Sequence, residues 1–339
     1  MATGDDARGD NVIPLPRREE PPDLDEETID ALREALEDLR REIRARVPER
    51  PAPAESSEPG LDVLALVDGL RSRLSTLGMR ERSVEIDDFG LDTQLQTRTG
   101  PLLDWMSETY WRIEVQGAER LPDAGPVLFV ANRSGLLPWD GVMLSHVIEQ
   151  HAPRFGRPRP MVADWLITLP FVQPFLARLG GVRACRENAD RLLRTGRSVI
   201  AFPEGAKGAT KTFRERYRLK RFGRGGVVRA AVENRVPLVP VGVVGAEEAH
   251  PVLFKSHTPA RILGLPFLPV TPTFPALGPL GALPLPTKWV IVIGEPIDPP
   301  ASADAAAEEL IISRSTAALR ERIQALVEVG LDSRDSVWD

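Results

Sequence analysis

The 339-residue chain has a single cysteine, Cys185, and only four histidines. One thiol excludes an internal disulfide and a cysteine-built metal cluster, and it fits a reducing, cytoplasmic setting. Long apolar runs are missing too: none approaches the roughly 20 residues needed to span a bilayer. Met1 to Asp10 carries neither the basic flank nor the apolar stretch of a secretory signal. An excess of positive charge is also absent. The formal charge is -6, and positions 1–60 hold 17 acidic against 9 basic residues, which leaves the rest slightly positive. An acidic chain without a recognisable base-reading motif argues against nucleic acid. Any contact with a membrane is expected from one side, peripherally, on the inner face.

What is present divides the chain. Positions 1–22 are too polar to offset the entropy of folding and read as disordered. Over 23–47, Ile29, Leu32, Leu36, Leu39 and Ile43 recur at helical spacing behind Asp23 and Glu26, which predicts an amphipathic helix that packs onto the body, onto a protein partner or onto a second copy. A Pro-rich linker follows at 48–60, so 1–60 is an acidic leader. A helical lead-in is expected over 61–110, with helices at 61–79 and 102–111. Beyond it, short apolar runs at 111–115, 127–131, 160–163, 198–202, 238–244 and 289–293 read as strands. Helical stretches lie around 140–150, 186–196, 224–234 and 302–328. This alternation predicts an α/β domain over 111–330, a mostly parallel central sheet flanked by helices, with a tail at 331–339.

Three segments carry chemistry. Asn132, Arg133, Ser134 and Asp140 stand where a strand passes into a helix, the end of an α/β sheet at which ligands bind. Asp140 alone also reads as an ordinary helix-start carboxylate. Phe202-Pro203-Glu204-Gly205 is a turn at a strand end, and nine cations from Lys207 to Arg229 follow, facing only Glu204 and Glu215. Such density suits phosphate oxygens or an anionic membrane. The third, Val236 to Val241, is a proline-broken apolar strand, buried or at an edge, whose closing acids Glu247 and Glu248 are expected in solvent. Trp165 to Leu179 and Ile262 to Leu285 are strongly apolar, as core or as a face that dips into one leaflet.

In order, these segments resemble the glycerolipid acyltransferases, the lysophosphatidate and glycerol-phosphate enzymes, from about Trp111 to Ile297. The resemblance implies an acyl thioester donor (acyl-CoA or acyl-carrier protein), a lysophospholipid or other glycerolipid hydroxyl as acceptor, and no metal or bound cofactor. It places Asn132, Arg133 and Asp140 in the catalytic motif. There the family has a histidine base with an aspartate after four residues; here Arg133 stands in the histidine's place and six residues separate it from Asp140. The second motif is similar to Gly180 to Arg186, the third maps onto Phe202 to Gly205, and the fourth onto Val236 to Val241. Substrate binding is thereby implied for Arg183, Arg186, Glu204 and Gly205, with Lys207 and Arg216 added from the basic run.

Arginine stays protonated in proteins, so it cannot serve as a general base. That leaves an inactive lipid-binding or scaffolding relative, an enzyme with another base, or a chemistry in which Arg133 binds an anion. The histidines on offer are His146, His151, His250 and His257, and Cys185 is an alternative covalent nucleophile.

Overall fold

The computed structural model describes residues 86–135, 137–167, 173–256, 268–299 and 309–338. The helices expected over 23–47 and 61–79 and the linker at 48–60 lie outside them. The helices of nine or more residues are α1 (Thr93–Trp105), α2 (Trp139–His151), α3 (Arg186–Arg194), α4 (Gly226–Asn234) and α5 (Glu309–Asp332). The strands are β1 (Glu114–Gln116), β2 (Leu128–Ala131), β3 (Arg159–Val162), β4 (Val182–Arg183), β5 (Val199–Ala201), β6 (Leu238–Val244), β7 (Phe254–Ser256), β8 (Leu268–Val270) and β9 (Val290–Ile293).

Seven strands form one sheet in the order β1-β9-β6-β2-β5-β3-β4. Every pairing in it is parallel except β6 with β9. The mostly parallel sheet expected from the sequence is therefore present. Strand alternation sorts side chains onto its two faces. Leu128, Val130, Val199 and Val244 pack with α3, α4 and α5, whereas Phe129, Ala131, Ile200, Val241 and Val243 pack with α1 and α2.

β6 sits inside the sheet, between β2 and β9, despite Pro240. Its small residues are explained by α5. A Cβ on Gly242 would lie 2.8 Å from backbone atoms of Leu326 and Val327. Gly242→Ala must push helix from sheet and is expected to cost about 1–3 kcal/mol, measurable as a lowered denaturant midpoint.

Two boundaries differ from expectation. α1 begins at Thr93, because the Asp92 side chain accepts from Leu95 N–H as an N-cap, and it continues through Pro101 instead of starting after it. The run at 111–115 enters the sheet only at Glu114. Arg112 has φ 45°, a break that leaves Trp111 fully buried, with its ring 4.4 Å from that of Trp289. β4 and the separate β7–β8 ribbon were too short to show in the sequence pattern. The C-terminal segment is tied down: Lys288 N–H donates to Val337 O at 2.8 Å, and Arg334 pairs with Glu248 at 2.6 Å.

Candidate active site

Asn132 to Gly135 leave the carboxyl end of β2 and lead into α2. The Asn132 side chain is committed to the backbone of β6: its amide donates to Val243 O (2.9 Å) and its carbonyl accepts from Val243 N–H (2.7 Å). Asn132 thus fixes where the next residue starts. Arg133 then folds its guanidinium onto Asp140, with Nη1 2.5 Å from Oδ1. Asp140 also accepts from Ser134 N–H at 2.9 Å and Gly141 N–H at 2.8 Å. Its side chain has no exposure, against 10% for Arg133. Burial pushes the Asp140 carboxyl above its ordinary value, while the guanidinium and the two N–H donors pull it back. The remaining face of the arginine lies over Phe202, its central carbon 5.1 Å from the ring centroid.

Glu204, at the end of β5, is buried and holds the neighbouring loops together. Its Oε1 accepts from Arg133 N–H (2.8 Å) and its Oε2 from Lys220 N–H (2.7 Å). Lys211 Nζ stands 3.4 Å from Glu204 and 2.6 Å from Glu247, a buried cation between two buried carboxylates. Burial raises the Glu247 carboxyl above its ordinary value, and Lys211 opposes this. Glu247 also accepts from Tyr217 N–H at 2.8 Å. The expectation that Glu247 and Glu248 lie in solvent is corrected: both are buried, because the basic loop and Arg334 supply counter-charges that one strand's sequence does not reveal. The loop is braced from outside by Glu215, which Lys220 and Thr212 hold down to about 2.

Gly208 makes this packing feasible. A Cβ there would meet the Glu204 side chain at 2.6 Å and that of Arg133 at 2.7 Å. In the sequence, the glycine that follows Glu204-Gly205-Ala206-Lys207 is the signal of this close approach.

A cavity of about 500 Å³ opens beside Arg133. It runs on the α3, α4 and α5 side of the sheet, between Leu128 and Val199 on the strands and Ala189, Ala230 and Leu319 on the helices, with Cys185 and Arg186 also on its wall. Its lining is overwhelmingly apolar, so it accepts a hydrocarbon chain far better than a polar ligand.

The expected binding residues do not converge on one spot. Gly205 and Arg186 line the cavity, but Arg186 is paired with Glu233 and Asp190. Arg183 is exposed and pairs with Asp164 at 2.8 Å, and Lys207 is exposed beyond Gly205. Arg216 belongs to a separate small cleft with Gly135, Lys211, Glu247 and His250. Glu204 is spent on backbone and lysine contacts, although Pro203 and Gly205 on either side of it reach the cavity.

Nor do the histidines rebuild a dyad. His146 is buried between Asp104 (3.0 Å) and Arg157 (3.1 Å), and burial lowers its proton affinity. His151 faces Val147 O at 3.0 Å. His250 alone among the described histidines lines the cleft that Gly135 shares, and His257 lies outside the described residues. No described group of three or more His, Cys, Asp or Glu side chains is arranged to hold a metal, and no described helix is long and apolar enough to cross a membrane.

Comparison with known proteins puts this end of the sheet in a family context. Residues 112–244 match the family described as Acyltransferase. An uncharacterized protein of Mycobacterium tuberculosis is 38% identical over 278 residues, 81% of this chain and 76% of that one. A Bos taurus protein, the DGAT1/2-independent enzyme synthesizing storage lipids, is 24% identical over 237 residues, 67% of this chain and 62% of its own. Among solved structures, the 1-acyl-sn-glycerophosphate (LPA) acyltransferase of Thermotoga maritima aligns over 80% of this chain and 92% of its own, at 18% identity and a TM-score of 0.45.

Proposed function

Since the chain belongs to the acyltransferase family, we propose that it moves an acyl group from an acyl thioester, acyl-CoA or acyl-carrier protein, to the hydroxyl of a lysophospholipid or related glycerolipid. The observation that carries this reading is the apolar cavity, which ends at Arg133 and Phe202, where the first and third motif segments meet. An acyl chain lying in it brings its thioester carbonyl to the carboxyl ends of β2 and β5. The acceptor oxygen then forms a bond to the carbonyl carbon, the carbon–sulfur bond breaks, and the thiolate leaves. The hydroxyl proton must pass to a base, which Arg133 is not. On this reading Arg133 occupies the position of the family's histidine, and His250, in the separate cleft that Gly135 also lines, takes the proton. Transfer is correspondingly slow. Arg133 contributes a fixed positive charge, balanced by Asp140, toward the developing oxyanion or an acceptor phosphate.

A second reading, lipid binding without turnover, is favoured by one observation: the Asp140 carboxylate is already saturated by Arg133, Ser134 and Gly141. Incubation with labelled acyl-CoA and lysophosphatidate tests both. Labelled product that falls to background in Asp140→Ala is the expected outcome. Product from Arg133→His alone supports the binding reading, and no product from either protein sinks the enzymatic one. The substrates are lipids, so the working place is a membrane surface approached peripherally from the cytoplasmic side.

A further inference from the structure

The described surface carries large apolar side chains that protrude instead of packing. Leu280 is 68% exposed, Leu283 61% and Phe254 59%, with Leu253, Leu277 and Trp105 about half exposed. They sit on neighbouring pieces of chain. The Trp105 and Tyr110 rings lie 5.2 Å apart, and Tyr110 Oη donates to Pro284 O at 2.7 Å. Thr273 Oγ1 donates to Gly281 O at 3.0 Å, and Thr271 N–H donates to Phe274 O at 2.8 Å. From there β8 leads into the ribbon, where Phe254 faces Val270. One connected strip therefore runs from α1 through the 277–283 turn to β7.

Cations border the strip where it nears the site. Phe213 N–H donates to Val252 O at 2.8 Å, which places the exposed Arg214 and Arg216 beside Leu253 and Phe254, and Arg216 lies 4.1 Å from the Phe213 ring centroid. Val252, at the base of this corner, also lines the small cleft shared with Gly135 and His250. The strip thus adjoins the end of the sheet at which Arg133 stands.

We infer that this strip is a docking face for an anionic phospholipid bilayer, with Leu253, Phe254, Leu277, Leu280 and Leu283 entering the leaflet and Arg214 and Arg216 meeting headgroups. Side chains this exposed are tips on turns and on a two-stranded ribbon. A bilayer receives such tips, whereas a peptide or helix partner needs a groove. Cations beside apolar tips match a surface that is hydrocarbon below and phosphate above. Trp105, amphipathic and half exposed, fits the boundary between the two. The inference rests on the lipid-substrate reading only for its purpose, because docking is measured without any acyl transfer.

The test uses the full chain and vesicles of phosphatidylcholine with or without phosphatidylglycerol, in a sedimentation assay at low and high salt. Binding to the anionic vesicles, weakened by salt, is expected. The Phe254→Asp/Leu280→Asp double variant should lower the bound-to-free ratio by at least about tenfold, with a thermal transition like that of the unmodified chain because both sites are exposed. The inference is overturned if the unmodified chain stays in the supernatant, or if the folded double variant binds as well as it does. Light scattering that shows a dimer dissolved by the same variant would assign the face to a second copy and overturn it equally. Acyl transfer to a detergent-dispersed acceptor, assayed in parallel, keeps failure of docking distinct from failure of the enzymatic reading.

Discussion

Arg133→His is expected to raise acyl transfer by about 10²- to 10⁴-fold, the usual contribution of a positioned general base. The place is ready for an imidazole. Glu204 Oε1 accepts from the residue 133 backbone N–H, so the backbone is held whatever the side chain. Asp140 keeps its donors from Ser134 and Gly141, and the oxygen freed by the guanidinium can take an imidazole N–H and orient the ring. Labelled transfer across a pH series checks the result. The variant's rate should rise through the range in which histidine loses its proton, around an ordinary value of about 6.5 shifted upward by Asp140. The unmodified chain, in which the proton passes to His250, should stay about 10²- to 10⁴-fold slower across the series. A folded variant no faster than the parent would show that residue 133 does not sit where the proton must go.

Lys211→Met should lower stability by about 3–5 kcal/mol, the cost of leaving buried charges without their partner. For a domain of this size that is a fall in the thermal midpoint on the order of 10 °C. Methionine keeps most of the length and removes the charge, so the buried Glu204 and Glu247 are left facing each other without their shared cation. The pH dependence has a definite sign. Without the cation, burial and mutual repulsion hold a carboxyl's folded pKa above its unfolded value. The penalty is therefore full above that raised value and shrinks as pH falls through it, because protonating one carboxyl relieves both effects. Melting curves of variant and parent should converge as the pH is lowered from neutral through that raised value. A midpoint that stays within about 2 °C of the parent at neutral pH would contradict the bridging role.

The two substitutions probe parts of the site that differ in how readable they were. The motif residues Asn132, Arg133, Asp140, Glu204 and Gly205 stand out in the sequence because strand ends and turns impose local patterns. Their roles did not stand out. Asn132 is tied to β6, and Glu204 is tied to two backbone donors and a lysine. Lys211 looked like one of nine loop cations, yet it is the buried member. Arg183, Arg186, Lys207 and Arg216 looked like one phosphate cluster, but they fall on separate places because charge density along a chain says nothing about where a loop turns.

The sequence by itself determined the alternation of strands and helices, the mostly parallel sheet, and the end of it at which the motif residues gather, since these follow from short-range periodicity and from the residues permitted at strand ends. Tertiary structure alone decided the rest. It set β6 inside the sheet, Lys211 between Glu204 and Glu247, Gly208 against Arg133, and the apolar cavity beneath α3, α4 and α5. Each of these depends on contacts between residues far apart in the chain, and local pattern does not encode such distances.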